Sequence, residues 1–449
     1  MHSGRALTVV GGLGSPYDEL LAAVLSQRGP TCSFGSLDRA AMSEARAILP
    51  RGQCAPLLAS TGALLQVARQ HPGARLRVVC ATSCGPCRYA LFGPAWQRAL
   101  RPYTDVELLT LPQSWAGLTE LFGAELCQRL LESMLVADAL TLVERRLRPH
   151  MRDRDALDAT WSDVVAAVAA DVGQGAGPIA ALAGQRAAFQ RLRLRPREAL
   201  GRIVLIGAPW SLHVAGDAQA HVARLLGDAG IEVEAPPLAL WLAYRLWEQS
   251  RPAWGVGPAA TVDLCATREH LRWLTSGFAQ ACRALDLTSE LPCVEALAEL
   301  ARPYLPACSR GGYGHVEVGL AARARAERRA HAVISVKSFG CIPSSGISDA
   351  IVPAVLGDAL GFLALEVSED GVATRESRLM LQVGMAHERA RAELALAQAR
   401  AGAAALASWS SRPPSDPVSS VFELGSRPFA CSLACELAAQ DHTQEALCP

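Results

Sequence analysis

Three short stretches of this 449-residue chain set a cysteine beside Gly or Pro just ahead of a helical pattern. They are "GQCAP" around Cys54, "SCGPCRY" around Cys84 and Cys87, and "SFGCIPSSG" around Cys341. A cysteine that opens a helix meets the positive end of the helix dipole and amides with no intrahelical partner, and both favour the thiolate that binds metal. Cys54 and Cys341 each stand in Cys-x-Pro, where proline suits the first helical turn. One such turn is most simply an ordinary thiol. Three of them, in corresponding parts of two similar halves, point to a shared site. Cys-Gly-Pro-Cys at 84–87 has three readings: a dithiol redox centre, half of a metal site, or two cysteines in a turn. The dithiol reading lacks companions, since Ser83 precedes Cys84 and no persuasive Val/Thr-Pro loop follows. Zinc modules pair Cys and His in close knuckles, a spacing these turns lack.

Other residues carry weaker signals. Lys337, four residues before Cys341, is the only lysine in a chain whose other basic residues are all arginine. A compact, movable cation there could serve an anionic group at a shared site, and arginine cannot replace it where space is tight. Glu317 and Asp349 lie near candidate turns and read as helix-capping or salt-bridging groups. His315, in "GGYGHVEVG", reads as a polar loop residue, and Cys127, among helical apolar residues, as a small core residue. Cys293 and Cys308 lie outside equivalent turns, and Cys431 and Cys435, four apart, are weak evidence for metal. "GGLGSP" at 11–16 is a tight strand-to-helix turn; it lacks the third glycine and the acidic residue of a dinucleotide fingerprint.

The elements that must position these residues repeat. "ALTVVGGLGSPYDELLAAVLSQRGPTCSF" reads as strand, turn, helix, break and strand, and residues 201–236 repeat that order. Each half then carries a helix, a strand and a cysteine turn. Alternating strands and helices with apolar strand runs predict α/β architecture: two open parallel-sheet, flavodoxin- or Rossmann-like subdomains. The expected division is 1–112 for the first subdomain, with Cys54 and Cys87, and 113–200 for a mainly helical segment. The second subdomain, with Cys341, follows over 201–395. An Ala-rich helix, a Pro/Ser linker and a Cys-containing tail take 396–449.

Lys+Arg and Asp+Glu both number 43, so no net charge would recruit nucleic acid or an anionic membrane. No apolar run reaches the roughly 18 residues of a membrane span. "MHSGRALTVV" lacks the apolar core of a signal peptide, so a cytoplasmic protein is expected, with its fourteen cysteines as thiols or metal ligands.

With these residues in view, the chain resembles the superfamily of 2-hydroxyacyl-CoA dehydratase and benzoyl-CoA reductase subunits. It looks closest to the activase-associated CoA enzyme branch, with double-cubane cluster proteins as more distant relatives. The resemblance rests on "CAP" at Cys54, "GPCR" at Gly85 to Arg88 and "FGCIP" at Phe339 to Pro343, and runs from residue 6 to about residue 392. It implies a [4Fe–4S] cluster, or a double-cubane cluster, held by Cys54, Cys87 and Cys341 in a cleft between the subdomains. Cys84 is then an extra thiol near the cluster or a ligand of an enlarged one, and Lys337 a candidate cofactor contact. Three matched cysteines leave a fourth position open to water, substrate or a small thiol. Implied partners are an ATP-hydrolysing activase of the actin/Hsp70-like class, a second homologous subunit or second copy, and an acyl-CoA or other small substrate. The implied function is a low-potential reductase or dehydratase component; a non-catalytic cluster carrier or electron relay is the alternative, and a thiol–disulfide oxidoreductase ranks below both. Ala208 and Pro209 depart from the family pattern, where an acidic residue often follows the strand glycine, and "ATRESRLML" matches its terminal segment only in part.

Overall fold

The computed structural model describes residues 6–81, 87–112, 114–195, 200–216, 221–251, 264–310, 312–328, 330–368 and 372–401. Cys84, Cys431 and Cys435 lie outside them. The strands are β1 (Leu7–Val10), β2 (Thr31–Ser33), β3 (Leu76–Ala81), β4 (Val106–Leu111), β5 (Gly201–Gly207), β6 (Ile231–Glu234), β7 (Ala332–Ser338) and β8 (Gly361–Val367). They form two four-stranded sheets, ordered β2-β1-β3-β4 and β6-β5-β7-β8, with every pairing parallel. The two sheets therefore share one topology, as the repeated sequence order predicts. In each, the chain leaves the first strand to one side and returns to the other, so a crevice opens at the carboxyl ends between the two central strands.

The central strands are apolar because both their faces are covered. All seven residues of β5 and all seven of β7 are buried. Their side chains alternate between layers with the period of two a strand imposes. Val204, Ile206 and Val333 face one core, while Ile203, Leu205, Ile334 and Val336 face another. The first sheet divides likewise, with Val10 and Val79 on one side and Val9, Val78 and Cys80 on the other. Each sheet thus has an outer core of its own, and the inner faces of both join a single larger one.

That larger core is built around the helices between β4 and β5. Helix Ala124–Leu147 contributes Leu135, Val136, Leu140, Val143 and Leu147, all fully buried, and Cys127 is a buried core residue as its setting predicts. The run read as one periodic stretch is two helices, Trp115–Phe122 and Ala124–Leu147, because Gly123 takes φ 81° between them. Helix Arg154–Gly173 starts ahead of the cap expected within "DATWSD"; Asp153 caps it by accepting the Ala156 amide. The helix Val372–Ala401 runs unbroken through residues 395 and 396.

Candidate functional site

Cys54, Cys87 and Cys341 occupy the same local position in three different turns. Each has extended backbone (φ −73°, −72° and −73°) immediately before a helical turn: Ala55–Gln70, the 3-10 turn Arg88–Leu91, and Ile342–Gly346. Pro56 and Pro343 sit in the first turns, so the reading of Cys-x-Pro as a helix start holds. Cys87 and Cys341 follow β3 and β7, the central strands of the two sheets, at the carboxyl ends where the crevices open. Cys54 opens the helix that leads into β3.

Cys87 lies near enough to raise the thiols of both Cys54 and Cys341. Burial pushes the Cys54 thiol above its ordinary value; the Leu57 amide and the Arg88 guanidinium pull it back, and Cys87 raises it. Burial pushes Cys341 up to about 11, opposed by the Ser344 amide and reinforced by Glu317, Cys87 and Cys54. The expectation of thiolates at these helix starts is corrected for Cys54 and Cys341. Their amide neighbours do favour the anion, but desolvation outweighs them and both are thiols near neutrality. Binding a cation there would release protons.

Arg88 ties the Cys87 turn to the Cys54 turn and reaches toward the Cys341 turn. It follows Cys87, and its Nη1 donates to the Gly52 carbonyl, at 2.8 Å, in the turn before Cys54. Its Nη2 lies 3.9 Å from where a Cβ on Gly340 would stand, beside Cys341. Gly340 has φ 70°, a conformation that suits glycine. Arg88 is visible in sequence as the last residue of "GPCR", but its role depends on partners at Gly52 and Gly340 that no local pattern reveals.

Two buried charged residues hold the Cys341 turn. The Nζ of Lys337, on β7, pairs with Asp349 and lies 3.4 Å from the Ser345 hydroxyl, which donates to the Cys341 carbonyl at 2.8 Å. Asp349 is therefore the salt-bridging residue it was read as, and Lys337 touches the turn through Ser345. Glu317, in the first turn of helix Gly314–Ala326, accepts the Ser344 hydroxyl at 3.1 Å. Leu91, Phe339 and Ile342, on the turns of Cys87 and Cys341, are 68%, 50% and 56% exposed and make an apolar rim.

Neighbouring features narrow the chemistry. Asp18 accepts the amides of Gly12 and Leu13 at 2.8 and 3.1 Å, so the glycine turn after β1 spends its donors on its own helix and offers no phosphate cradle. His315 is not a loop residue. It is buried in helix Gly314–Ala326, with Nδ1 3.2 Å from the Tyr244 hydroxyl and Nε2 3.1 Å from the Pro306 carbonyl. Burial lowers its pKa, which keeps it neutral and unsuited to act as a cation. Cys293 also opens a helix, but it is exposed and bonds Glu295 at 3.3 Å, so that position alone does not assemble a site. A surface groove of about 550 Å³ is lined by Arg268, Arg272, Arg283, Glu290 and Glu295, none from the cysteine turns.

Cys54, Cys87 and Cys341 supply three thiols, the donor type that iron–sulfur groups take. One ion held at about 2.3 Å by thiolates draws its sulfurs nearly into contact. Among the described residues no three His, Cys, Asp or Glu side chains are grouped to hold one ion. A cubane of four irons and four sulfides is wider than one ion. Three soft thiol donors with the Arg88 guanidinium near Cys54 are chemically compatible with such an anionic group. Compared with known proteins, the chain matches no family model and no curated protein.

Proposed function

We propose that Cys54, Cys87 and Cys341 hold a [4Fe–4S] cluster between the two parallel-sheet units, and that the protein is a low-potential reductase or dehydratase component. It would receive electrons from an ATP-hydrolysing activase and act on an acyl-CoA or another small substrate. The observation that carries this reading is that three helix-opening cysteines from both halves of the chain lie in one neighbourhood, where Cys87 raises the thiols of Cys54 and Cys341. When bound, such a cluster supplies one-electron chemistry at low potential. The chain's own residues bind and orient. Arg88 ties the Cys87 turn to the Cys54 turn and offers positive charge to an anionic group, Lys337 and Glu317 fix the Cys341 turn, and the apolar rim of Leu91, Phe339 and Ile342 limits water around the thiols.

Accessibility favours a site that meets substrate over a sealed electron carrier. Cys87 and Cys341 are both half-exposed, whereas a relay works better with its centre shielded. Anaerobically purified protein, supplied with activase and ATP, should turn over an acyl-CoA, and added acyl-CoA or a small thiol should perturb its EPR spectrum. A cluster that cycles between redox states with no response to any such ligand would move the assignment to the electron relay.

A further inference from the structure

We propose that Asp18 is a positioning residue for the cysteine site: its carboxylate fixes the glycine turn after β1 in the shape that receives two hydrogen bonds from the second parallel-sheet unit, and so sets how the two cysteine-bearing halves meet. The effect on the cluster rests on the proposed function; the joint itself does not. Asp18 is 3% exposed and has no cation partner among the described residues. Burial outweighs the amides that bond it and pushes its pKa up to about 6, so stability alone does not account for a carboxylate here. Those amides belong to Gly12 at 2.8 Å, Leu13 at 3.1 Å and Gly14. The peptide unit with the Leu13 N–H also carries the Gly12 carbonyl, which accepts Trp210 Nε1 at 2.8 Å. The unit with the Gly14 N–H carries the Leu13 carbonyl, which accepts the Ala215 amide at 2.7 Å. Two adjoining peptide units thus turn their N–H groups to Asp18 and their carbonyls to the second half. An anion at one end of such a unit polarises it and strengthens the acceptor at the other. Two glycines allow the fit: a Cβ on Gly11 would stand 2.3 Å from the Asp18 carboxyl carbon, and one on Gly14 3.0 Å from the Ala215 Cβ.

The joint reaches a cysteine turn on either side. In the first half, Tyr89, in the turn that follows Cys87, senses both Asp18 and Cys87. In the second half, Ser211 follows Trp210 in the short helix Pro209–His213, and its hydroxyl pairs with that of Ser338 at 2.9 Å. The Ser338 carbonyl accepts the Cys341 amide at 3.0 Å. A shift of the glycine turn therefore passes to the Cys341 turn through Trp210, Ser211 and Ser338. Asp18 acts through these residues and not on the thiols themselves.

Indole N–H spectra of the full chain test this, with Trp210→Phe identifying the Trp210 resonance. In Asp18→Asn, which keeps the shape and removes the charge, that proton should move upfield as the Gly12 carbonyl becomes a weaker acceptor. In the wild type it should titrate with a midpoint at about pH 6, moving downfield as Asp18 ionises. Asp18→Asn should abolish the titration. Asp138→Asn, which removes another carboxyl that ionises in this range, should keep it. Of the groups that sense Asp18, Glu19 is checked by Glu19→Gln, which should also keep it, and burial holds Tyr89 protonated throughout. Asp18→Asn and Trp210→Phe should each retain severalfold less iron after anaerobic reconstitution, with unchanged circular dichroism. An indole proton indifferent to pH and to Asp18→Asn would overturn the proposal; if that variant does not fold, the wild-type titration decides. A shifted indole with wild-type iron in both variants would overturn the positioning role. Wild-type protein without iron would overturn the cluster instead, and the indole signal would still decide the joint.

Discussion

At the scale of single residues, the site depends on groups whose charge is set against their burial. The thiols of Cys54 and Cys341 are held protonated by desolvation, and at Cys54 the Arg88 guanidinium works in the opposite direction. Arg88 is exposed, so replacing it removes little packing and few desolvated contacts. Arg88→Ala should change unfolding free energy by less than about 1 kcal/mol. It should lower retained iron per chain, or affinity for iron on reconstitution, about tenfold or more, as loss of a supporting residue around a metal site does. Denaturant titration and iron assay on the same preparation separate the two effects. Arg88→Lys should not restore retention, because one ammonium cannot bond the Gly52 carbonyl and also extend positive charge toward the Gly340 side, as the two guanidinium nitrogens do. The candidate cysteines were legible in sequence because Gly and Pro mark the turns that carry them. The influence of Cys87 on the other two, and the part of Arg88, were not, because Gly52 and Gly340 are distant in sequence and come near Arg88 only when both sheets are built.

At the scale of elements, the strands and their order follow from local pattern, while the breaks follow from single residues. The apolar runs of β5 and β7 and their repeated setting announce two parallel sheets. The split at Gly123 and the early start at Asp153 were harder to read, because periodicity continues across the first and the cap precedes the apolar run in the second. His315 was misread for a similar reason: "GGYGH" looks like loop, yet the helix begins at Gly314 and the larger core takes the imidazole. One glycine decides whether β5 can end where it does. Gly207 has φ 131°, and a Cβ there would lie 2.1 Å from the Val336 carbonyl oxygen of the neighbouring strand. Gly207→Ala should therefore force β5 and β7 apart at the mouth of the second crevice. The expected cost is about 3 kcal/mol or more in unfolding free energy, read from urea melts. A wild-type midpoint would contradict the close approach of these strands.

At the scale of the whole molecule, a buried polar cluster ties the first half, the middle helices and the second half together. Asp138 accepts the Tyr17 hydroxyl at 2.6 Å and the amides of Leu238 and Ala239 at 2.7 and 2.8 Å, and His213 Nδ1 stands 3.3 Å from the same hydroxyl. Burial pushes the carboxyl of Asp138 up to about 6, despite those donors and the nearby Arg145. A carboxyl that ionises higher when folded than when unfolded, where the ordinary value is 3.8, binds more protons in the folded state. Its contribution to stability is therefore greatest below about pH 4, falls as pH rises to about 6, and is level above; the full change is about 3 kcal/mol. Asp138→Asn should flatten that part of the stability profile, measured by urea unfolding at a series of pH values. An unchanged slope would mean the carboxyl ionises normally. The central claim is that both halves of the chain converge on one cluster, and its most direct measurement is iron and acid-labile sulfide per chain after anaerobic purification or reconstitution. Wild-type protein should be brown, with iron and sulfide in equal amounts near four per chain. Replacing Cys54, Cys87 or Cys341 singly by Ala should each remove most of both, while Cys293→Ala should not. Wild-type protein that stays colourless and iron-free after reconstitution would contradict the account.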